Sequence, residues 1–367
     1  MRPLRLTSVL LAVLVAAATA RAQGGAARVK GARKAARAAK ADSAHKPVKP
    51  SPFWESSAPL ELTLTINVDQ VKRDRDKSKA IWHTASVSFT DGGTTDTIPA
   101  RVRTRGISRL KICTLIPPLW VDFASTDTKK TVFAHLNRFK LVSPCKPQTA
   151  YERYTIEEYN LYRVRALLMP AGHLARLVHM TVVDSASKKP EFTRYAFALE
   201  DVDEMAARLG GKNMAITGAS AADLDPRQAA MVGLFQYMIG NTDFSIYALH
   251  NAELILIGGV VYPVDYDFDQ AGVIAPPYAV PAPLLHISSV KERVYRGLCV
   301  PPDTVTKAIS DILAQKAAVI ALYSDDIGKL MGDDAKDAIR WFGDVFNDLA
   351  DARFVKNDIL DKCRGAR

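Results

Sequence analysis

The 367-residue sequence lacks the short signatures that usually give an enzyme away. It has no G-x-x-x-x-G-K-[ST] segment to cradle phosphates, no H-E-x-x-H pair to hold zinc and no G-x-S-x-G elbow to present a serine nucleophile. Those absences exclude the common phosphate-loop, zinc-protease and serine-hydrolase designs. Past the first two dozen residues, no apolar run reaches the roughly 20 residues that a bilayer-crossing helix needs. The seven histidines are scattered, and the four cysteines fit no zinc-knuckle spacing. No internal repeat is evident.

The amino terminus does carry a signal. Arg2 and Arg5 precede an apolar stretch from Leu10 to Ala18, and Ala20-Arg21-Ala22 offers small residues at the positions signal peptidase reads. Residues 1–22 are therefore expected to be a signal peptide on a protein that is soluble after cleavage and exported to the periplasm or cell envelope. The formal charge of +10 invites a nucleic-acid reading, but it is not evenly spread. Setting aside Arg2, Arg5 and Arg21, and the eight bases and one acid of Gln23–Pro50, leaves 38 basic and 38 acidic residues. The body is neutral, so no nucleic-acid partner is expected. Residues 23–50, rich in Ala, Lys and Arg, read as a disordered basic tail able to touch anionic envelope surfaces. An even cysteine count in an exported chain favours disulfides. Of three possible pairings, Cys113–Cys145 with Cys299–Cys363 is preferred, because each pair stays within one half of the chain.

Residues 51–200 read as β-rich with one helix. Alternating or apolar patterns mark strands at Leu60–Val68, Ala85–Phe89, Thr97–Val102, Leu119–Phe123, Phe139–Val142, Ala175–Val183 and Arg194–Leu199. Asp91-Gly92-Gly93 marks a hairpin turn, and Tyr151–Leu168 a helix that Pro170 ends. Residues 201–367 change character, with helical patterns at Asp203–Leu209, Pro226–Ile239 and beyond Pro301, interrupted by a strand pair at Ala252–Ile257 and Gly259–Pro263.

The densest polar constellation flanks that strand pair: Gly240-Asn241-Thr242-Asp243, then His250-Asn251, then Tyr266-Asp267-Phe268-Asp269. A hairpin would return the chain and bring Asp243, Asn251 and Asp267 to one mouth. Phosphoryl transfer uses such a set, one carboxylate for the acceptor hydroxyl and a carboxamide with a second carboxylate for Mg²⁺. Each residue alone is readily structural, as a turn, a cap or a surface carboxylate, and Asp265, Asp267 and Asp269 could also form a calcium loop. His250 serves equally well as a turn histidine.

The motifs Arg105-Gly106-Ile107-Ser108, Phe139-Lys140-Leu141-Val142, Glu157-Glu158-Tyr159, Gly240-Asn241-Thr242-Asp243 and Asp267-Phe268-Asp269 occur in an order that resembles the CotH-type (spore coat protein H-like) kinases and their exported relatives. The resemblance spans roughly residues 101–272. It implies an α+β, two-lobed protein-kinase-like fold with a β-rich N-terminal lobe and a helical C-terminal lobe. It also implies Asp243 as the catalytic carboxylate, Asn251, Asp267 and Asp269 as Mg²⁺ ligands, and Arg105 and Lys140 toward the phosphates of ATP, with Lys140 paired to Glu158. The chain departs from ordinary kinases in having no G-x-G-x-x-G loop and eight positions between Asp243 and Asn251. The expected activity is transfer of a phosphoryl group from Mg-nucleotide to a protein or small hydroxyl acceptor. The alternative is a catalytically inactive kinase-fold module that binds an envelope partner.

Overall fold

The computed structural model describes residues 46–365. The expected signal peptide and most of the basic tail lie outside the described residues. Seven strands form the first half: β1 (Leu60–Ile66), β2 (His83–Asp91), β3 (Thr94–Thr104), β4 (Leu119–Asp122), β5 (Arg138–Val142), β6 (Ala175–Asp184) and β7 (Pro190–Glu200). Along β1, Leu60, Leu62, Leu64 and Ile66 are buried while the residues between them are not, as the period-2 geometry of a strand dictates. Asp91 pairs with Thr94 across Gly92 and Gly93, whose φ values of +56° and +82° make the tight turn that only glycine adopts without strain.

The strands close into a barrel in the order β1-β2-β3-β4-β5-β7-β6. Every neighbouring pair is antiparallel except β1 with β6, which runs parallel from Leu60 opposite Val178 to Ile66 opposite Asp184. The barrel interior is packed with aliphatic and phenylalanine side chains. Phe53, brought in ahead of β1, stacks on Phe133 and Phe139 at centroid distances of 5.2 and 5.6 Å.

The second half holds a three-stranded antiparallel sheet of β8 (Gly211–Asn213), β9 (Ala252–Ile257) and β10 (Val260–Asp265), with β9 central. Around it lie helices α1 (Thr149–Leu168), α2 (Val202–Arg208), α3 (Pro226–Ile239), α4 (Pro302–Ala314) and α5 (Asp333–Ala350), besides shorter turns. Asp225 caps α3 by accepting from Gln228 N, Pro226 occupies its first turn, and Gly240 ends it in the left-handed conformation. Helix α1 is buried on nearly every side, because it lies between β6 and β7 of the barrel and the C-terminal helices. One large apolar core joins Leu161 and Val164 of α1 to Phe235, Phe268 and Phe342.

This topology corrects the expected kinase-like arrangement. The β-rich half is a closed mixed barrel, and the half expected to be a helical lobe carries its own sheet. Period-2 patterning reveals which face of a strand is buried but not which strand it pairs with. Closure depends on the β1–β6 pairing, made across more than a hundred intervening residues and invisible to any local window. Both preferred disulfides are present, Cys113–Cys145 and Cys299–Cys363, and they fit an exported protein. Among the described residues, no helix is long and apolar enough to cross a membrane.

Candidate functional site

Between the barrel and the second half lies a cleft of about 610 Å³. Its barrel side is built from β5 and from the loop after β3. Lys140 on β5 lies opposite Trp120 on β4, so its side chain leaves the barrel on the face away from Phe139 and Leu141. After Thr104 the chain turns at Gly106, with φ of +92°, into the one-turn helix Ser108–Ile112. Arg105 and Arg109 both reach the cleft from this stretch. The Cys113–Cys145 bridge ties its far end to the chain beyond β5, and Thr114 N reinforces it by donating to the Cys145 carbonyl at 2.8 Å.

The opposite side comes from the loop after α3 and from the segment after β10. A Cβ at Gly240 would lie 2.8 Å from the Trp341 ring and 3.2 Å from Gly272 Cα, so any side chain here would force the ring to shift, besides straining the backbone at its φ of +67°. Asn241 Oδ1 then accepts from Asp243 N at 2.9 Å, which turns the chain toward the cleft. Ser245 and His250 exchange backbone hydrogen bonds and close the loop. Asp243 Oδ1 lies 2.7 Å from His250 Nε2, and Asn251 Nδ2 donates to both the Asp243 carbonyl and its Oδ2, at 2.7 and 3.1 Å. Leu249, Asn251 and Asp267 all have positive φ, at +51°, +49° and +63°. Three non-glycine residues in this conformation around one cleft is the concentration of backbone strain typical of functional sites.

The charges divide by side. Arg105, Arg109 and Lys140 face Asp243, Asp267 and Asp269 across the cleft. Burial lowers the pKa of the Arg105 guanidinium, with Asp267 opposing it, and no carboxylate stands within ion-pair distance of Arg105 among the described residues. Burial also disfavours the charge on Arg109, but Asp269 at 3.9 Å and Glu158 at 3.5 Å outweigh it and hold the group more firmly protonated than usual. Burial first, and then repulsion from Asp267, pushes the Asp269 carboxyl up to about 7. Burial likewise holds the Glu158 carboxyl well above the ordinary carboxylate range.

All six cleft residues named from the sequence, Arg105, Lys140, Asp243, Asn251, Asp267 and Asp269, line this one space. Glu158 is close by but not as expected, since it pairs with Arg109 instead of Lys140. The carboxylate beside Lys140 is Glu253 of β9, at 3.7 Å. Glu253 in turn meets His173, whose Nδ1 lies 2.9 Å from the Glu200 carbonyl and whose Nε2 lies 2.8 Å from Glu253 Oε2. A carbonyl only accepts, so Nδ1 carries a hydrogen, and the Nε2 contact requires a further proton shared by the His173–Glu253 pair. Burial works to raise the Glu253 pKa, but His173 and Lys140 outweigh it and hold the carboxyl below its usual range.

Sequence reasoning missed Arg109, Glu253, His173 and Tyr278. The available clue to Arg109 was its i+4 spacing from Arg105, and the clue to Glu253 was an acid within an otherwise apolar strand, AELILI. Asp265 lies outside the cleft. It is fully buried, its Oδ1 accepting from Arg165 Nε at 2.6 Å and its Oδ2 from Gln236 Nε2 at 2.7 Å. Those partners occupy both its oxygens and remove it from any calcium loop with Asp267 and Asp269. The chain matches no family model and no curated protein.

No cluster of three or more His, Cys, Asp or Glu residues is arranged to hold a metal ion among the described residues. The residues that remain for a divalent ion are Asp267, Asp269 and the Asn251 carboxamide oxygen. This lean set of hard donors fits Mg²⁺, which keeps most of its waters. Burial is the main cause of the raised Asp269 carboxyl, and the smaller repulsion from Asp267 is the kind a bound divalent cation relieves.

Proposed function

We propose that this chain is an exported phosphotransferase related to the CotH-type kinases, binding Mg-nucleotide in the cleft and passing a phosphoryl group to a hydroxyl acceptor. The observation that carries this reading is the opposition of a cationic wall, including the ion-pair-free Arg105, to an acidic wall across one 610 Å³ cleft. Polyphosphate with a divalent cation is a ligand class that satisfies both walls at once. Arg105, Arg109 and Lys140 would hold phosphate oxygens and stabilise the charge spread over them during transfer. Asp267, Asp269 and Asn251 would hold Mg²⁺, which when bound supplies charge neutralisation along the phosphates. Asp243 would accept the proton of the acceptor hydroxyl as its oxygen bonds to phosphorus and the bond to the departing nucleoside diphosphate breaks. The periplasm or cell envelope is the proposed location, consistent with the two disulfides.

One observation favours a second reading, a binding module that uses the cleft without turnover. Both carboxylate oxygens of Asp243 have partners, His250 and Asn251, so transfer requires one of those contacts to open. Thermal unfolding of the mature protein with and without Mg-ATP, beside Asp267→Ala, separates the outcomes. A ligand at 100 times its Kd adds about 2.7 kcal/mol to the native state. A wild-type shift that the variant loses supports the nucleotide site. The absence of any shift, with both proteins folded, rules out the phosphotransferase reading.

A further inference from the structure

The loop that carries Asp243 has a second cavity behind it. A pocket of about 210 Å³ is lined by Ser220, Phe244, Ser245, Tyr247, Arg296 and Arg364, among others. It shares no residue with the Asp243 cleft; residues 243 and 249–251 face that cleft, whereas 244–247 face this pocket. Arg296 donates through Nη1 to the carbonyl of Thr242, the residue before Asp243, and lies over the Phe244 ring at 5.7 Å. Its Nε is buried with no hydrogen-bond partner. Arg364 is held beside it by the carboxy-terminal segment. Cys299–Cys363 pins that segment, Arg364 N donates to the Gly297 carbonyl at 2.8 Å, and Cys299 N donates to the Arg364 carbonyl at 3.1 Å.

Both arginines thus border one small cavity. Neither has a carboxylate within ion-pair distance among the described residues. Asp223 accepts from Ser220 N and Oγ at 2.9 and 2.7 Å, Asp243 is engaged by His250 and Asn251, and Asp348 and Asp358 border a separate pocket that Arg364 also lines. Arg296 is half-buried and Arg364 exposed, and an anion bound between them would relieve the repulsion of their like charges. A carboxylate is satisfied by a single guanidinium fork. Two arginines with Ser245 and Tyr247 bordering the same cavity suit an anion with three or more oxygens. The volume suits a phosphate group and is far below that of the main cleft.

We propose that this pocket is a phosphate-binding site, distinct from the cleft, that takes a free phosphate or small phosphomonoester between Arg296 and Arg364. An anion there would bridge the carboxy-terminal segment to the Thr242 carbonyl contact, bracing the loop that positions Asp243. The inference stands on the pocket's own geometry and does not require the cleft to be a kinase site.

The test is a titration of the mature protein with inorganic phosphate at constant ionic strength, followed by thermal shift and by hydrogen exchange at residues 244–246. The variants are Arg364→Gln, at an exposed position that leaves the Arg296–Thr242 contact intact, and Arg105→Gln as the cleft control. Acetate at the same concentrations is the carboxylate comparator. The expected result is saturable stabilisation and slower exchange at 244–246 in the wild type and Arg105→Gln, at least ten-fold weaker phosphate affinity in Arg364→Gln, and no response to acetate. No phosphate response in the wild type, an undiminished response in Arg364→Gln, or a response lost only in Arg105→Gln would each overturn the proposal. The last result would place phosphate in the cleft and leave the cleft reading standing.

Discussion

The two cores of the molecule differ in what they bury. The barrel interior is mostly hydrocarbon, with Phe53, Phe89, Phe123, Phe133 and Phe139 packed against aliphatic side chains and one buried guanidinium, that of Arg176, lying over the Phe53 ring and donating to the Phe53 carbonyl. The second core, and the seam where it meets the barrel, bury charge. Arg165 and Asp265 pair at its centre, Glu157 and Glu158 sit 2 % exposed on α1, and His173, Glu253 and Lys140 form a chain toward the cleft. Burying charge is costly unless every group is paired, so a fold that keeps so much of it along one seam is organised around that seam. The barrel buries mainly apolar side chains, and the seam holds most of the buried ionisable groups.

The comparison breaks most visibly at Asp265. Asp265→Ala would leave Arg165 and Gln236 without their partner inside a closed core, at a cost on the order of 3–5 kcal/mol in chemical denaturation. A loss below about 1 kcal/mol would show that the charged interior tolerates opening and that the contrast with the barrel is superficial. A smaller effect should separate the two carboxylates beside the cleft cations. Glu253→Gln removes the counter-charge of Lys140 and should weaken Mg-ATP binding at least ten-fold, equivalent to about 1.4 kcal/mol, in a titration on protein with native circular dichroism. Glu158→Gln should cost less, because Arg109 keeps Asp269 and its hydrogen bond to the Ser143 carbonyl. The reverse order would restore Glu158 as the lysine's functional partner.

An effect of similar size is a pH dependence at the seam itself. Glu204 of α2 accepts from Asn137 N and Arg138 N at the start of β5, and burial, with Asp201 and Glu200 nearby, pushes its carboxyl up to about 7. The folded state therefore holds this proton more tightly than the unfolded chain. The associated stability is fully present below the ordinary glutamate range near pH 4.5 and is lost as pH rises through about 7. Glu204→Gln should remove this slope. Its gain over wild type should be larger at pH 8 than at pH 5, on the order of 1–2 kcal/mol after allowing for partial solvation. Equal gains at both pH values would mean that Glu204 is not the group titrating there.

Much of this was legible in the chain. Asp225-Pro226 and Gly240 mark both ends of α3 by capping chemistry, and the helix runs from Pro226 to Ile239 as its pattern indicates. The strands from β1 to β7 lie where alternation put them, with ends shifted by a few residues. The three-residue β8 was not legible, since Gly211-Lys212-Asn213 has neither length nor alternation and becomes a strand only because β9 is beside it. Asn251 and Asp267 converge because the β9–β10 hairpin is a local structure whose turn returns one to the other, whereas Arg105, Arg109 and Lys140 reach the cleft only through packing against the barrel. The partner of Lys140 was illegible for the opposite reason: Glu253 lies on another sheet, and no spacing rule connects the two.

The sequence by itself determined most of the longer strands and helices and that Asn251 and Asp267 would meet across a hairpin, because strand alternation, helix caps and tight turns act within a few residues. Only the tertiary structure decided that seven strands close into a barrel, that Arg109 and not Lys140 meets Glu158, and that Arg296 and Arg364 stand together behind the Asp243 loop. Each of those contacts joins segments far apart in the chain, and which of several chemically acceptable partners meet is settled by packing of the whole fold.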